Sequence, residues 1–184
     1  MPEKKPAFEL VLSQCESIIR EMGLNVVYTH NLDPFFKGDL DGKTIYIGFH
    51  LPASEKLFNL LHLAGHSIQW NTDELLRTMG SELYVNPNDE LLRKLQNYEW
   101  QANCYALTIL HKTGEYRLDK WLERKYAIDM LYLTQFYKTG KKSNYIAPKI
   151  VKEYPFNSVL EEKTIAEFVP QASNRTRNGL VVSF

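Results

Sequence analysis

Two histidines one helical turn apart, in a long amphipathic segment, constrain the fold of this chain most. Apolar residues recur at helical spacing and predict a helix over about residues 55–70. Its core face consists of four aliphatic positions, Leu57, Leu61, Ala64 and Ile68. A neighbouring stripe carries Phe58, His62, His66 and Gln69. Because residues four apart on a helix hold their Cβ atoms about 6 Å apart, the two imidazoles can converge on one metal ion.

The residue after the first histidine departs from the best-known motif of this kind. In H-E-x-x-H, the two histidines bind zinc and the glutamate takes a proton from the zinc-bound water. This chain reads His62-Leu63-Ala64-Gly65-His66, so a leucine occupies the general-base position and can neither accept a proton nor orient a water. Loss of a general base typically lowers a rate by about 10²–10⁴. The pattern therefore predicts a metal site and argues against ordinary hydrolysis.

Glu99 is the best candidate for a third metal ligand. It lies on the apolar side of a predicted helix, between Leu95 and Ala102, where a carboxylate is costly unless it is paired or binds a metal. Asn103, four residues on, shares its face and could hydrogen-bond a ligand histidine. The alternative is that Glu99 is a boundary residue paired with a basic side chain such as Arg93. The pattern of residues leaves both interpretations open.

The remaining elements predict an α+β protein that is mainly helical, with a small mixed sheet. Further helices are expected over residues 7–22, 86–109, 118–137 and 158–168. Two short strands are expected, over residues 24–28 and 43–49, with a turn at 39–42. The aromatic residues of the helix over 118–137 are interpreted as core. The 184 residues are predicted to form one domain over 1–139 and an extended C-terminal helical region over 140–184, packed on the same domain.

Charge and composition restrict the expected partners and location. The chain has 22 basic and 22 acidic residues, a balance that gives no support for a surface specialised for nucleic acid or an anionic membrane. No apolar run approaches the roughly 20 residues of a membrane span, and the N-terminus shows no signal peptide. Cys15 and Cys104 resemble small core residues rather than a disulfide framework. A cytoplasmic protein is expected.

The order of these features resembles the ImmA/IrrE family of zinc metallopeptidase domains. The family's marks are H-E-L-G-H on one helix and E-x-x-A-N-x-F-A on the next. Gly65 matches the glycine before the second histidine, and residues 99–106 read E-W-Q-A-N-C-Y-A, with Tyr105 where phenylalanine is common. The resemblance covers about residues 8–112. The interval from His66 to Glu99 is 99 − 66 = 33 residues, which is long for the family and indicates an insertion in the intervening loop.

The resemblance implies His62, His66 and Glu99 as zinc ligands and Asn103 as a supporting residue. It implies a zincin-like fold, with an edge strand near residues 43–49 that could line a peptide cleft. Known members include peptidases that cleave repressor proteins, so it also implies a protein or peptide partner such as a transcriptional regulator. No catalytic residue is assigned, since Leu63 occupies the general-base position.

Three functions remain open. The first is a zinc-binding relative of these peptidases with weak or no activity, which works by binding a protein partner. The second is an active, atypical zinc peptidase whose base comes from elsewhere. Candidates for that base are Asp73, Glu74 and Glu82, with Tyr84 as a candidate oxyanion donor. The third is an interaction domain that holds no metal.

Overall fold

A single long helix, α2 (Ala53–Thr72), forms the centre of the fold. In the computed structural model, which describes residues 8–32, 37–82, 84–140 and 165–172, every residue of α2 from Leu57 to Gln69 is buried. A helix that is buried on all sides needs other elements around it, and both helices and strands pack on α2. The helix predicted over residues 55–70 is therefore present, and it extends two residues further at each end.

Four other helices accompany α2 in the described part of the chain. They are α1 (Phe8–Glu21), α3 (Glu74–Ser81), α4 (Asp89–Lys112) and α5 (Asp119–Thr139). Helix α3 was not predicted. It begins where the Asp73 carboxylate accepts hydrogen bonds from two backbone N–H groups of the first turn. Helix α4 begins after Asn88, whose side chain accepts from the Leu91 N–H, and the prediction of a start at Asn86 is wrong because that residue is left-handed, with φ 52°.

The sheet consists of β1 (Asn25–Thr29), β2 (Gly38–Leu40) and β3 (Thr44–Gly48), in the order β1-β3-β2. Strand β1 runs parallel to β3, and β2 runs antiparallel to it. The predicted α+β architecture, mainly helical with a small mixed sheet, is confirmed. The expectation that the strand near residues 43–49 lies at the edge of the sheet is wrong, because β3 is central. The turn predicted at 39–42 begins only after Leu40 and includes Gly42, which has φ 95°, because Gly38–Leu40 form the edge strand β2.

Helices α2 and α4 approach each other at Gly65. A Cβ atom at this position would overlap the carbonyl oxygen of Ala102 and lie 2.8 Å from its carbonyl carbon. Only a glycine allows this separation, because ordinary contacts of a Cβ atom begin at 3.4 Å. The glycine between the two histidines therefore sets the distance between the two helices that carry the predicted ligands.

Part of the region over 140–184 packs on the same core. Ile165 and Phe168 are buried with the residues of the five helices, and the Gln171 N–H donates to the side chain of Asn71 at 2.8 Å. The helix predicted near residues 158–168 falls mostly on residues outside the described part of the chain. Among the described helices, none combines the length and apolar character that crossing a membrane requires.

Candidate metal centre

His62, His66 and Glu99 meet between α2 and α4 and form a buried cluster that could hold a metal ion. The exposed fractions of these residues are 2%, 5% and 5%. The two Nε2 atoms are 3.1 Å apart, and Glu99 Oε2 lies 3.1 Å from His66 Nε2 and 3.3 Å from His62 Nε2. The structure thus brings the three predicted ligands together around one point. The alternative pairing of Glu99 with Arg93 is not observed among its contacts.

The spacing of the three atoms suits a tetrahedral ion. Bonds of 2.0–2.1 Å in a tetrahedron place neighbouring ligand atoms about 3.3 Å apart. The observed separations of 3.1, 3.1 and 3.3 Å are close to that value. Two imidazoles and one carboxylate also leave a fourth position open, as in zinc sites that bind water or a substrate.

Gln69 fixes the ring of His66. Its side-chain amide donates to the carbonyl oxygen of Tyr98 at 2.8 Å and to the side chain of Gln101 at 3.0 Å. The amide oxygen therefore faces His66 Nδ1, 2.8 Å away, and accepts the proton of that nitrogen. The lone pair of His66 Nε2 is then directed at the centre, which is the form of histidine that binds a metal.

Asn103 lies beside His62. Its Nδ2 donates to the backbone carbonyl of Glu99 at 2.9 Å and lies 3.0 Å from His62 Nδ1, while its buried Oδ1 has no partner among the described residues. A metal on His62 Nε2 requires a proton on Nδ1. Rotation of the Asn103 amide would present the unpartnered oxygen to that proton, so the residue can support the liganded form of His62.

Aromatic rings hold both imidazoles in place. The ring of Phe58 stacks on His62 at a centroid distance of 5.7 Å, and Tyr98 stacks on His66 at 4.6 Å. The hydroxyl of Tyr98 accepts a hydrogen bond from the indole of Trp70 at 2.7 Å. Stacking restrains both imidazoles, which reduces the ordering required when an ion binds.

Burial and the two histidines act on Glu99 in opposite directions. Burial raises the pKa of this carboxyl, but the neighbouring His66 and His62 outweigh it and hold the pKa below its ordinary value. Glu99 is therefore ionised at neutral pH. An anionic carboxylate with two imidazoles is a donor set that binds divalent cations.

Leu63 packs against the edge strand β2. Its side chain is 1% exposed, and a Cβ atom on Gly38 of β2 would lie 2.8 Å from its Cδ1. The leucine therefore fills the space between α2 and the edge strand. The position where H-E-x-x-H carries its general base holds an aliphatic group with no acceptor atom.

Helix α5 contacts both of the helices that carry the ligands. Near its start, Lys125 Nζ donates to Glu55 in the first turn of α2, and near its end the hydroxyl of Tyr137 donates to Glu99 Oε1 at 3.4 Å. Lys37 also bonds to Glu55, at 3.1 Å. These contacts tie α5 to the two helices that carry the ligands.

Asp129, on α5, is a functional candidate that the sequence interpretation missed. It is 5% exposed, and its Oδ1 has no hydrogen-bond partner among the described residues. Burial raises the pKa of Asp129 from 3.8 to about 7; the charges of His62, Lys37 and Lys125 oppose this rise, and that of Glu99 adds to it. The sequence carried a signal for it: Asp129 shares a helix face with Tyr126 and Leu133, both buried.

The other candidate bases have structural roles outside the cluster. Asp73 caps α3, and Glu74 is exposed in the first turn of the same helix. Glu82 accepts a hydrogen bond from the hydroxyl of Tyr84 at 2.8 Å. The cluster of groups that could hold a metal includes neither of these carboxylates nor Asp73.

Comparisons with protein-family models, with curated proteins and with solved structures gave no match. Arguments about function therefore depend on the residues of the centre and on their geometry.

Proposed function

We propose that the protein is a zinc-binding, zincin-like relative of the ImmA/IrrE metallopeptidases that has weak or no peptidase activity and acts by binding a protein partner. The observation that supports this most is the combination of a complete ligand set with an aliphatic general-base position. His62, His66 and Glu99 have the spacing of a tetrahedral site, while Leu63 is packed against β2.

Zinc is the ion that this donor set fits best. Two imidazole nitrogens and one carboxylate oxygen are the ligands of many zinc sites, whereas magnesium and calcium prefer oxygen ligands. Bound zinc would link α2 with α4 and stabilise the folded state by mass action. The ring contacts of Gln69, Phe58 and Tyr98 orient the ligands for that purpose.

Two features argue against efficient hydrolysis. No proton acceptor occupies the position of Leu63, and loss of a general base lowers a rate by about 10²–10⁴. The three ligands are at most 5% exposed, so a polypeptide has no direct path to the centre. A protein that keeps its ligands and loses its base can still bind a peptide or protein, and a transcriptional regulator is the class of partner that the resemblance suggests.

One observation favours the second function, an active peptidase with a base from elsewhere. The buried Asp129 carboxylate lies near enough to His62 and Glu99 for its charge to act on both. A carboxyl group with a pKa near neutrality is suited to proton transfer.

Peptide hydrolysis by three forms of the protein tests the proposal. Wild type, His62→Ala and Leu63→Glu are loaded with zinc and incubated with an unfolded protein substrate, and fragments are followed by mass spectrometry. We expect wild type and His62→Ala to be indistinguishable. Cleavage by wild type that is lost in His62→Ala would overturn the proposal in favour of the active peptidase. Leu63→Glu restores the motif, so a gain of zinc-dependent cleavage in this variant would locate the defect at residue 63.

A further inference from the structure

Asp129 is a buried carboxylate, and one of its oxygens has no hydrogen-bond partner within the described residues. Only 5% of the residue is exposed, and its Oδ1 has no hydrogen-bond partner in the described part of the chain. Transfer of an ionised carboxylate from water into such a place is costly unless an opposite charge is nearby. A buried carboxylate oxygen of this kind needs a positive charge or a hydrogen-bond donor, and no described side chain donates to it.

The position of Asp129 on α5 is fixed by anchors on both sides. Lys125, one turn earlier, bonds to Glu55 on α2, and Tyr137, two turns later, bonds to Glu99 on α4. Asp129 therefore lies between the two points at which α5 contacts α2 and α4. The charges of His62 on α2 and Glu99 on α4 both act on its carboxyl group.

The two lysines near Asp129 offer a competing explanation. Lys37 and Lys125 also act on its charge, and the aspartate could be their counter-ion. Both lysines, however, form their ion pairs with Glu55, and their side chains are 23% and 24% exposed. Cations that reach solvent and already share a carboxylate do not require a second, buried one.

A metal ion bound at the cluster would supply the positive charge that the Asp129 carboxylate lacks. A divalent cation bound by Glu99 and two neutral imidazoles leaves one net positive charge in a buried site. A second carboxylate within electrostatic range brings that sum to zero, and a neutral centre avoids the desolvation cost of an unbalanced charge.

We propose that Asp129 is part of the metal centre, as a positioning residue that balances the charge of the ion and strengthens its binding without being one of its three ligands. This inference depends on the proposed zinc site. Groups around a metal that are not ligands typically contribute about 10–100-fold to its affinity. Replacing the carboxylate by the amide of the same shape should therefore weaken zinc binding by that factor.

Zinc affinity of Asp129→Asn, measured by competition with a chelating dye, tests the proposal. Glu123→Gln is the matched control, because it removes a charge from the same helix where the carboxylate pairs with Lys120 at 3.1 Å. We expect a loss of about 10–100-fold for Asp129→Asn and none for the control. Asp129→Ser serves as a second neutral variant if asparagine disturbs α5. Unfolding of each variant in a chelator shows whether the metal-free fold is intact.

The outcomes separate this proposal from the one on which it depends. Wild-type affinity in Asp129→Asn, with zinc lost in His62→Ala, would overturn the role of Asp129 and leave the zinc site in place. If Asp129→Asn lost the same free energy in zinc binding and in metal-free stability, Asp129 would be shown to be only structural. A wild-type chain that binds no zinc would overturn both proposals.

Discussion

Gly65→Ala is the substitution that most directly links the packing of the fold to the metal centre. The added Cβ would overlap the carbonyl oxygen of Ala102 and lie 2.8 Å from its carbonyl carbon, where 3.4 Å is the start of ordinary contact. The carbonyl carbon alone would require α2 and α4 to separate by 3.4 − 2.8 = 0.6 Å, and the nearer carbonyl oxygen would require more. Overpacking of this kind typically costs about 1–3 kcal/mol.

The same movement changes the positions of the ligands. Ala102 is three residues from Glu99 on α4, and Gly65 precedes His66 on α2, so the carboxylate and the imidazoles would move apart. Metal sites keep their distances to within about 0.2 Å. If about 1.4 kcal/mol of this strain falls on the liganded state, zinc affinity drops about tenfold.

Urea denaturation in a chelator and zinc titration measure the two effects separately. Gly114→Ala is the matched control: a Cβ there has no atom within 4 Å, but the residue has φ +77°, so the substitution should cost about 1–2 kcal/mol. We expect the two variants to lose comparable stability, and only Gly65→Ala to lose zinc affinity. Wild-type zinc affinity and stability in Gly65→Ala would refute the reasoning.

Three further predictions concern the charge of Asp129, the hydrogen bond of Asn103 and the effect of free zinc on stability. In metal-free protein, burial raises the pKa of Asp129 from 3.8 to about 7, so the folded state loses stability as the pH rises from about 4 to 7. Asp129→Asn should therefore stabilise the protein by up to about 4 kcal/mol at pH 8 and by little at pH 4. Equal gains at both pH values would contradict the raised pKa of Asp129. Asn103→Ala should lower zinc affinity about 10–100-fold, as measured by dye competition, and an unchanged affinity would remove Asn103 from the site. Free zinc at 100 times its Kd should add about 2.7 kcal/mol to the free energy of unfolding of wild type and nothing to that of His62→Ala, as thermal unfolding would show.

The fold could be predicted where the periodicity of apolar residues is long. Helix α2 has its core positions at helical spacing, and so have α4 and α5, because a buried helix face leaves a clear pattern. Strand β2 could not be predicted. The three residues Gly38–Leu40 are too few to show the alternation of apolar and polar residues that indicates a strand. Their pairing with β3 depends on a turn in which Gly42 has φ 95°, a value that favours glycine.

The site could be predicted as far as its residues lie on one face of a patterned helix. Glu99 was singled out because a carboxylate stood between apolar positions, and the structure places it beside both histidines. Asp129 carried the same signal on α5. It was missed because the surrounding aromatic residues were interpreted as core. The sequence also does not indicate that α5 contacts the two helices that carry the ligands.

Metal content is the measurement that tests the central claim most directly. Elemental mass spectrometry of wild type, His62→Ala and His111→Ala compares the buried site with a histidine that pairs with Asp119 elsewhere. The zinc proposal predicts one zinc ion per chain in wild type and His111→Ala, and none in His62→Ala. A wild-type chain without metal after equilibration with zinc, or an equal content in His62→Ala, would contradict it.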